Sequence, residues 1–175
     1  IYPAFGAVFL SLPSGAMVTV STNGEYTYDP NGQFDSLGTG EEGIDVFTYT
    51  ISDGNGGSDE GTVTIVVLGV NDAPVAEGKS TTTLAHLEVS GTLLGNDEDP
   101  EGDTLTVTNV EDVLSNPTPA ETVATLSSGA KVTVDSSGHF TYDPSGQFDL
   151  LNTGEEGVDT FKYTISDGKD GTDEG

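Results

Sequence analysis

The sequence predicts an all-β protein made of tandem β-sandwich domains, and three observations support this fold class. Hydrophobic residues make up only 33% of the chain, a low share for a protein with a long helical core. Gly is abundant, with 24 of 175 residues, and supplies the positive φ angles that tight turns between short strands need. A segment of 48 residues also occurs twice, which indicates one domain in each copy.

Short alternating runs rich in β-branched residues mark the predicted strands. In residues 46–51, the side chains of Phe47, Tyr49 and Ile51 fall on one face and the intervening side chains fall on the other. The remaining predicted strands are 62–68, 104–110, 130–134 and 139–142.

Two-residue turn signals separate neighbouring predicted strands. Asn23-Gly24 and Ser137-Gly138 have the residue types of tight hairpins. No stretch of the chain has a convincing helical period. With about seven strands in about 100 residues, each copy has the strand count of an immunoglobulin-like sandwich.

The internal repeat is long and regular. Residues 14–61 recur at 128–175 without a gap, displaced by 114 residues, and 33 of the 48 paired positions are identical. The Gly-Glu-Glu-Gly motif at 40–43, for example, returns at 154–157. A period of this length is that of a whole sandwich domain and not of a solenoid, so we expect the copies to be separate domains in a row.

The turn-forming residues at 71–72 and the proline at 74 mark the predicted start of a repeat. We therefore expect residues 1–72 to be the C-terminal part of one repeat and residues 73–175 to be the following repeat, lacking its last strand. On this division the chain is either a window of a longer protein or a fibre protomer completed by its neighbours. The apolar run 5–12 would then serve as a strand that pairs between molecules.

The chain is strongly acidic. Asp and Glu total 30 against four Lys, which leaves a formal net charge of −26. This charge repels nucleic-acid backbones and anionic membranes, and no apolar run approaches the roughly 18 residues of a membrane span. Nucleic-acid binding and membrane insertion are therefore excluded, and zero Cys excludes disulfides, thiolate zinc sites and thiol catalysis. Composition alone leaves open whether divalent cations neutralise the charge or the acidic surface serves solubility.

Several short motifs occur in a fixed order along the chain. They are Tyr-Asp-Pro-Asn-Gly-Gln-Phe-Asp at 28–35, Asp-Val-Phe-Thr-Tyr-Thr at 45–50, Ser-Asp-Gly-Asn-Gly-Gly at 52–57, Gly-Val-Asn-Asp-Ala-Pro at 69–74 and an acidic loop at 95–105. This order resembles the VCBS and bacterial cadherin-like repeats of giant secreted adhesins, over nearly the whole chain except residues 1–13. The resemblance implies tandem immunoglobulin/cadherin-like β-sandwich domains at an extracellular or cell-surface location.

Carboxylates in the acidic loop stand at every second position. Asp97, Asp99, Glu101 and Asp103 offer the oxygen ligands that calcium prefers, and Gly102 permits a sharp turn. Their order differs from that of an EF-hand loop, which needs a Gly sixth and a Glu twelfth. Carboxylates crowded in this way repel one another, so bound calcium is favoured over the alternative of a solvated acidic loop.

A more distant resemblance to animal cadherins implies that calcium lies at the junction between two repeats. Residues 69–74 resemble the cadherin linker but lack its first Asp and its last Asn, which leaves the number of ions open. The resemblance implies ligands from three groups. They are Glu41 and Glu42 from the first repeat, Asn71 and Asp72 from the linker, and Asp97, Asp99 and Asp167 from the second repeat, with Glu101 and Asp103 adjacent.

Enzymatic interpretations have little support in the sequence. Glu41 and Glu42 have the composition of a glycosidase acid pair, but neighbouring residues of a strand point to opposite faces. His86 and His139 stand apart from any Ser, Cys or second His at catalytic spacing, and we expect both at the surface. Repeated aromatic residues such as Tyr28 would suit a sugar-binding platform, but core packing with a tyrosine-corner hydrogen bond is favoured.

The sequence therefore predicts a non-enzymatic structural repeat of an extracellular, calcium-stabilised adhesin or surface fibre, with a role in cell adhesion or biofilm matrix. Two alternatives stay open, namely a calcium-dependent exopolysaccharide-binding module and a fibre subunit assembled by strands that cross between molecules. The expected partners are calcium ions and neighbouring repeats of the same protein, followed by polysaccharide or identical subunits.

Overall fold

The computed structural model describes residues 7–112 and 118–175, and it divides into two compact units. The first unit ends at Asn71 and the second begins at Asp72. Within the described residues the regular structure is almost entirely strand, with a short 3-10 helix at Leu94–Asn96. This confirms the predicted all-β fold class. A helix long and apolar enough to cross a membrane is absent from these described parts.

The first unit contains one three-stranded and one two-stranded antiparallel sheet. Its strands are β1 (Val8–Ser11), β2 (Met17–Val20), β3 (Tyr26–Asp29), β4 (Glu42–Ser52) and β5 (Ser58–Leu68). One sheet has the order β1-β2-β3, and the other is the β4-β5 pair. The predicted strands 46–51 and 62–68 lie within β4 and β5 and are confirmed. Four buried apolar residues form the core of this unit: Leu12, Ala16, Val18 and Phe47.

The second unit is a sandwich of two four-stranded sheets. Its strands are β6 (Val89–Thr92), β7 (Thr106–Asp112), β8 (Thr118–Pro119), β9 (Val123–Thr125), β10 (Lys131–Val134), β11 (His139–Asp143), β12 (Phe161–Ser166) and β13 (Thr172–Glu174). The sheet orders are β6-β11-β10-β9 and β13-β12-β7-β8, and all strand pairs are antiparallel. The predicted strands 104–110, 130–134 and 139–142 correspond to β7, β10 and β11.

The two-residue period of the strands builds the core of the second unit. In β10, Val132 and Val134 are almost fully buried, whereas Lys131 is exposed on the other face. In β12 of the opposite sheet, Tyr163 and Ile165 are buried in the same alternation. These side chains form one apolar cluster, so the two sheets share a continuous core.

The structural repeat extends further towards the N-terminus than the sequence repeat. β1 pairs with β2 as β9 pairs with β10, so that Phe9 lies opposite Thr19 in the first unit and Val123 lies opposite Thr133 in the second. β1 is therefore a regular strand of its own unit. The first two residues of the predicted pairing segment 5–12 lie outside the described residues, and β1, which lies within this segment, is already paired in cis.

Both hairpin signals mark turns, but the loops are longer than predicted. The Ser21 N–H donates to the Glu25 carbonyl at 2.8 Å, and the Gly24 N–H donates to the Ser21 carbonyl at 3.0 Å. Three residues therefore lie between the paired positions, with Gly24 at a φ of 88°. The extra residue forms a glycine bulge, which is typical of three-residue hairpin loops. The loop at Gly138 has the same bonds.

A buried carboxylate ties the two sheets of the first unit together. The Tyr28 hydroxyl donates to Asp45 Oδ2 at 2.7 Å, and the Ser14 hydroxyl donates to the same oxygen at 2.9 Å. Asp45 is buried and lies on the core face of β4, beside Phe47. Burial and the hydrogen bond to Asp45 raise the pKa of Tyr28 to about 12.

The second repeat has the same arrangement around Asp159. Its Oδ2 accepts from the Tyr142 hydroxyl at 2.6 Å and from the Ser128 hydroxyl at 2.8 Å. The predicted tyrosine corner is thus wrong in its acceptor, because these hydroxyls bond to a side-chain carboxylate and not to the backbone. The sequence contained a signal for these hydrogen bonds, because the Ser, Tyr and Asp recur at matching positions of the two copies.

We expect Tyr28→Phe to lower the free energy of unfolding by about 1 kcal/mol, because Asp45 loses a donor while buried. Because the pKa of Tyr28 is raised, the stabilisation by its hydroxyl depends on pH. It is fully present below the ordinary tyrosine pKa of about 10 and disappears as pH rises towards 12. Urea unfolding at several pH values measures both. Tyr26→Phe, which alters a half-exposed ring on the same strand, is the control with an expected change below about 0.5 kcal/mol. Equal effects of the two substitutions at neutral pH would contradict the assignment.

Candidate metal centre

The loop between the 3-10 helix and β7 brings three carboxylates together. One oxygen each from Asp99, Glu101 and Asp103 lies within 4.8 Å of the others. The backbone of the loop is held by Asp99 Oδ1, which accepts from the N–H groups of Glu101 at 3.1 Å and Asp103 at 2.9 Å. Gly102 completes the turn with a φ of 77°, a conformation that costs glycine little. The alternation predicted from the sequence is therefore folded into a tight acidic turn.

Two oxygens of this turn are buried acceptors that lack a donor in the described part of the chain. Asp99 Oδ2 and Glu101 Oε2 are shielded from solvent and accept no hydrogen bond. The second Glu101 oxygen, Oε1, accepts from the Asp72 N–H at 3.1 Å. Leaving a buried acceptor unpaired costs about 1–3 kcal/mol for each group, and more for a charged one. The turn therefore has the chemistry of a cation site with oxygen ligands.

Asp167 is fixed in the second unit by its own loop. Its Oδ1 accepts from the backbone N–H groups of Lys169 at 2.7 Å and Gly171 at 3.0 Å. The side chain is buried, and a Cβ at position 171 would collide with Asp167 Oδ2. Only glycine at position 171 therefore leaves room for this carboxylate.

Asp97 has a different set of partners from the acidic turn. Its Oδ1 lies 2.6 Å from Lys79 Nζ and accepts from the Glu77 N–H at 2.9 Å. The Tyr163 hydroxyl lies 3.1 Å from each carboxylate oxygen of Asp97. The carboxylate is fully shielded and already has a cation, so its chemistry is that of a buried ion pair.

The remaining predicted ligands belong to the first unit. Glu41 Oε2 accepts from the Gly38 N–H at 3.0 Å, which closes the turn before β4, and Glu42 is the exposed first residue of that strand. Asn71 donates its backbone N–H to Thr39 Oγ1 at 3.2 Å. Their part in calcium binding stays a prediction.

Two lysines pair with predicted ligands, and the sequence alone did not indicate these pairs. Lys79 pairs with Asp97, and Lys169 Nζ lies 2.9 Å from Asp103 Oδ2 in the acidic turn. The available signal was the repeat itself, because position 169 corresponds to Asn55 in the first copy.

The surroundings of the acidic turn are shallow. Two depressions border it in the second unit, and Asp99 lines both. His86 and His139 are exposed, as predicted, and neither lines these depressions.

Comparison with known families gives two matches. Residues 71–175 match the family model described as a bacterial Ig domain. Residues 4–69 match the family model described as a bacterial cadherin-like domain. None of the curated proteins and none of the solved structures matches the chain significantly. Together the two matches support a bacterial cadherin-like tandem repeat.

Proposed function

The chain belongs to the bacterial Ig domain family, and from this premise we propose that it is a calcium-stabilised structural repeat of an extracellular adhesin or surface fibre. Domains of the two matched families are typically non-enzymatic modules found outside the cell or at its surface. Cadherin-like domains generally bind calcium. The proposed role is mechanical, in cell adhesion or biofilm matrix, and involves no catalysis.

The proposal rests on two buried carboxylate oxygens of the acidic turn that accept no hydrogen bond. Calcium takes six to eight oxygen ligands in flexible geometry, and carboxylates are its usual protein ligands. Asp99, Glu101 and Asp103 already present one oxygen each towards a common point. A divalent ion there would supply the missing partners and remove the repulsion among three carboxylates.

Further ligands are proposed from the predicted set. Asp167 and Asp72 come from the same unit, and Asp72 already donates its backbone N–H to Glu101. Glu41, Glu42 and Asn71 stay in the proposal on the resemblance to cadherins alone. Asp97 also stays in the proposal on this resemblance, and its carboxylate pairs with Lys79 in the structure.

Calcium is expected to raise the melting temperature of the second unit by about 10–20 °C over its value in EDTA. A ligand at 100 times its Kd stabilises the folded form by about 2.7 kcal/mol, and each kcal/mol shifts the melting temperature of a domain this size by about 4–8 °C. Thermal unfolding followed by circular dichroism measures the shift.

A double substitution separates calcium binding from the general effect of charge. Asp99→Asn with Glu101→Gln removes two charges from the turn, so we expect a higher melting temperature than wild type in EDTA but no response to calcium. Asp59→Asn with Glu60→Gln removes the same charge from the exposed start of β5 and should keep the response. Equal melting temperatures of the wild-type chain with calcium and with EDTA would overturn the proposal.

A further inference from the structure

Lys169 places a cation of the chain itself against the acidic turn. Its Nζ lies 2.9 Å from Asp103 Oδ2, and its side chain is 50% exposed. The ammonium therefore pairs with one of the three carboxylates that are proposed to hold calcium, and the other two each place an oxygen within 4.8 Å of an Asp103 oxygen.

The loop that carries Lys169 does not need a lysine to fold. In the first repeat Asn55 occupies the corresponding position, and its N–H donates to Asp53 Oδ1 at 2.7 Å. The Lys169 N–H donates to Asp167 Oδ1 at the same distance, and the glycine two residues later donates to the same oxygen in each loop. Since the two loops share their backbone hydrogen bonds, the lysine side chain is not required to shape the loop.

We propose that Lys169 is a built-in competitor of calcium, which occupies the acidic turn in the metal-free protein and must move away when the ion binds. This inference rests on the proposed function and deepens it. An ammonium and a divalent cation repel each other at contact distance, so both cannot share three carboxylates without loss of affinity. The exposed side chain can leave the turn while the loop backbone stays in place.

Two consequences follow for the repeat. Lys169 supplies part of the missing positive charge when calcium is scarce, so it stabilises the metal-free fold. It also raises the calcium concentration at which the site fills, so the second repeat is set to respond at higher free calcium than its carboxylates alone would dictate.

Calorimetric titration of the full chain with calcium chloride tests the proposal, using substitutions taken from the other repeat. Lys169→Asn copies position 55 and should bind calcium about twofold to fivefold more tightly than wild type, the range expected when a half-exposed ion pair no longer has to be broken. Lys162→Thr copies Thr48 and removes the same charge from the pair with Glu174, away from the turn. This control should change the affinity less than about twofold, as should Lys169→Arg, which keeps the charge.

Each outcome has a distinct meaning. Tighter calcium binding by Lys169→Asn alone supports the proposal that Lys169 competes with calcium. Equal affinities of wild type and Lys169→Asn overturn this proposal without contradicting the calcium site itself. Equal gains in Lys169→Asn and Lys162→Thr also overturn it, because the effect is then one of net charge. Absence of binding by every variant overturns the calcium site and the competitor together. Circular dichroism confirms that the variants are folded.

Discussion

Replacing Ile165 with Ala is expected to lower the free energy of unfolding of the second unit by about 3 kcal/mol, because a buried Ile→Ala change leaves a cavity. The same change at Ile51, its counterpart in the first repeat, is expected to cost less than about 0.5 kcal/mol. Ile165 has 0% of its surface exposed and Ile51 has 59%. The two residues occupy the same position of the same Tyr-Thr-Ile-Ser-Asp-Gly motif.

The difference comes from the strands that flank this motif. β12 lies between β7 and β13, and Ile165 is opposite Val107 of β7. Among the described residues, β4 pairs only with β5, so the side of Ile51 that corresponds to β7 has no strand. Tyr163 and Tyr49 show the same contrast, one buried and the other exposed.

Urea unfolding combined with hydrogen exchange gives the free energy of unfolding of each unit, and so measures the effects of both Ile→Ala substitutions. Val18→Ala serves as the positive control for the first unit. Because Val18 is fully buried, this substitution should lower the free energy of unfolding by about 2 kcal/mol. If Ile51→Ala destabilised the first unit as much as Ile165→Ala destabilises the second, the face around Ile51 would have to be covered in solution.

This pair of residues also shows what the sequence could predict about the fold. Alternation within 46–51 correctly placed Phe47, Tyr49 and Ile51 on one face of a strand. The alternation does not give the burial of that face, because burial depends on whether a strand from a distant part of the chain covers it. Among the described residues, the two copies of this motif therefore differ in burial.

The proximity of the three carboxylates in the acidic turn was predictable for a related reason, whereas the pairing of Asp97 with Lys79 was not. Asp99, Glu101 and Asp103 are close in sequence, and the Asp and Gly of the turn define its backbone locally. The surroundings of Asp97 depend on Lys79, which is 18 residues away in a segment without regular secondary structure. From the spacing in the sequence alone, Asp97 and the carboxylates of the acidic turn were all predicted to be calcium ligands.

The ion pair of Lys79 and Asp97 is the basis of the last prediction. Lys79→Met is expected to lower the free energy of unfolding of the second unit by about 3 kcal/mol, because it leaves a fully shielded carboxylate without its cation. The loss includes the hydrogen bond from Lys79 Nζ to the Tyr163 hydroxyl at 2.9 Å. Lys162→Met is the matched control, since Lys162 forms a half-exposed pair and should cost less than about 0.5 kcal/mol.

A double variant and a pH series distinguish the buried charge from lost packing. Adding Asp97→Asn to Lys79→Met removes the uncompensated charge, so we expect the double variant to regain at least half of the lost stability. Burial acts to lower the pKa of Lys79, but the hydrogen bonds to Asp97 and Tyr163 outweigh it and raise the pKa overall. The wild-type advantage should therefore persist up to about pH 10 and decline only in stronger alkali. Equal stability of the single and double variants would show that Lys79 acts through packing alone.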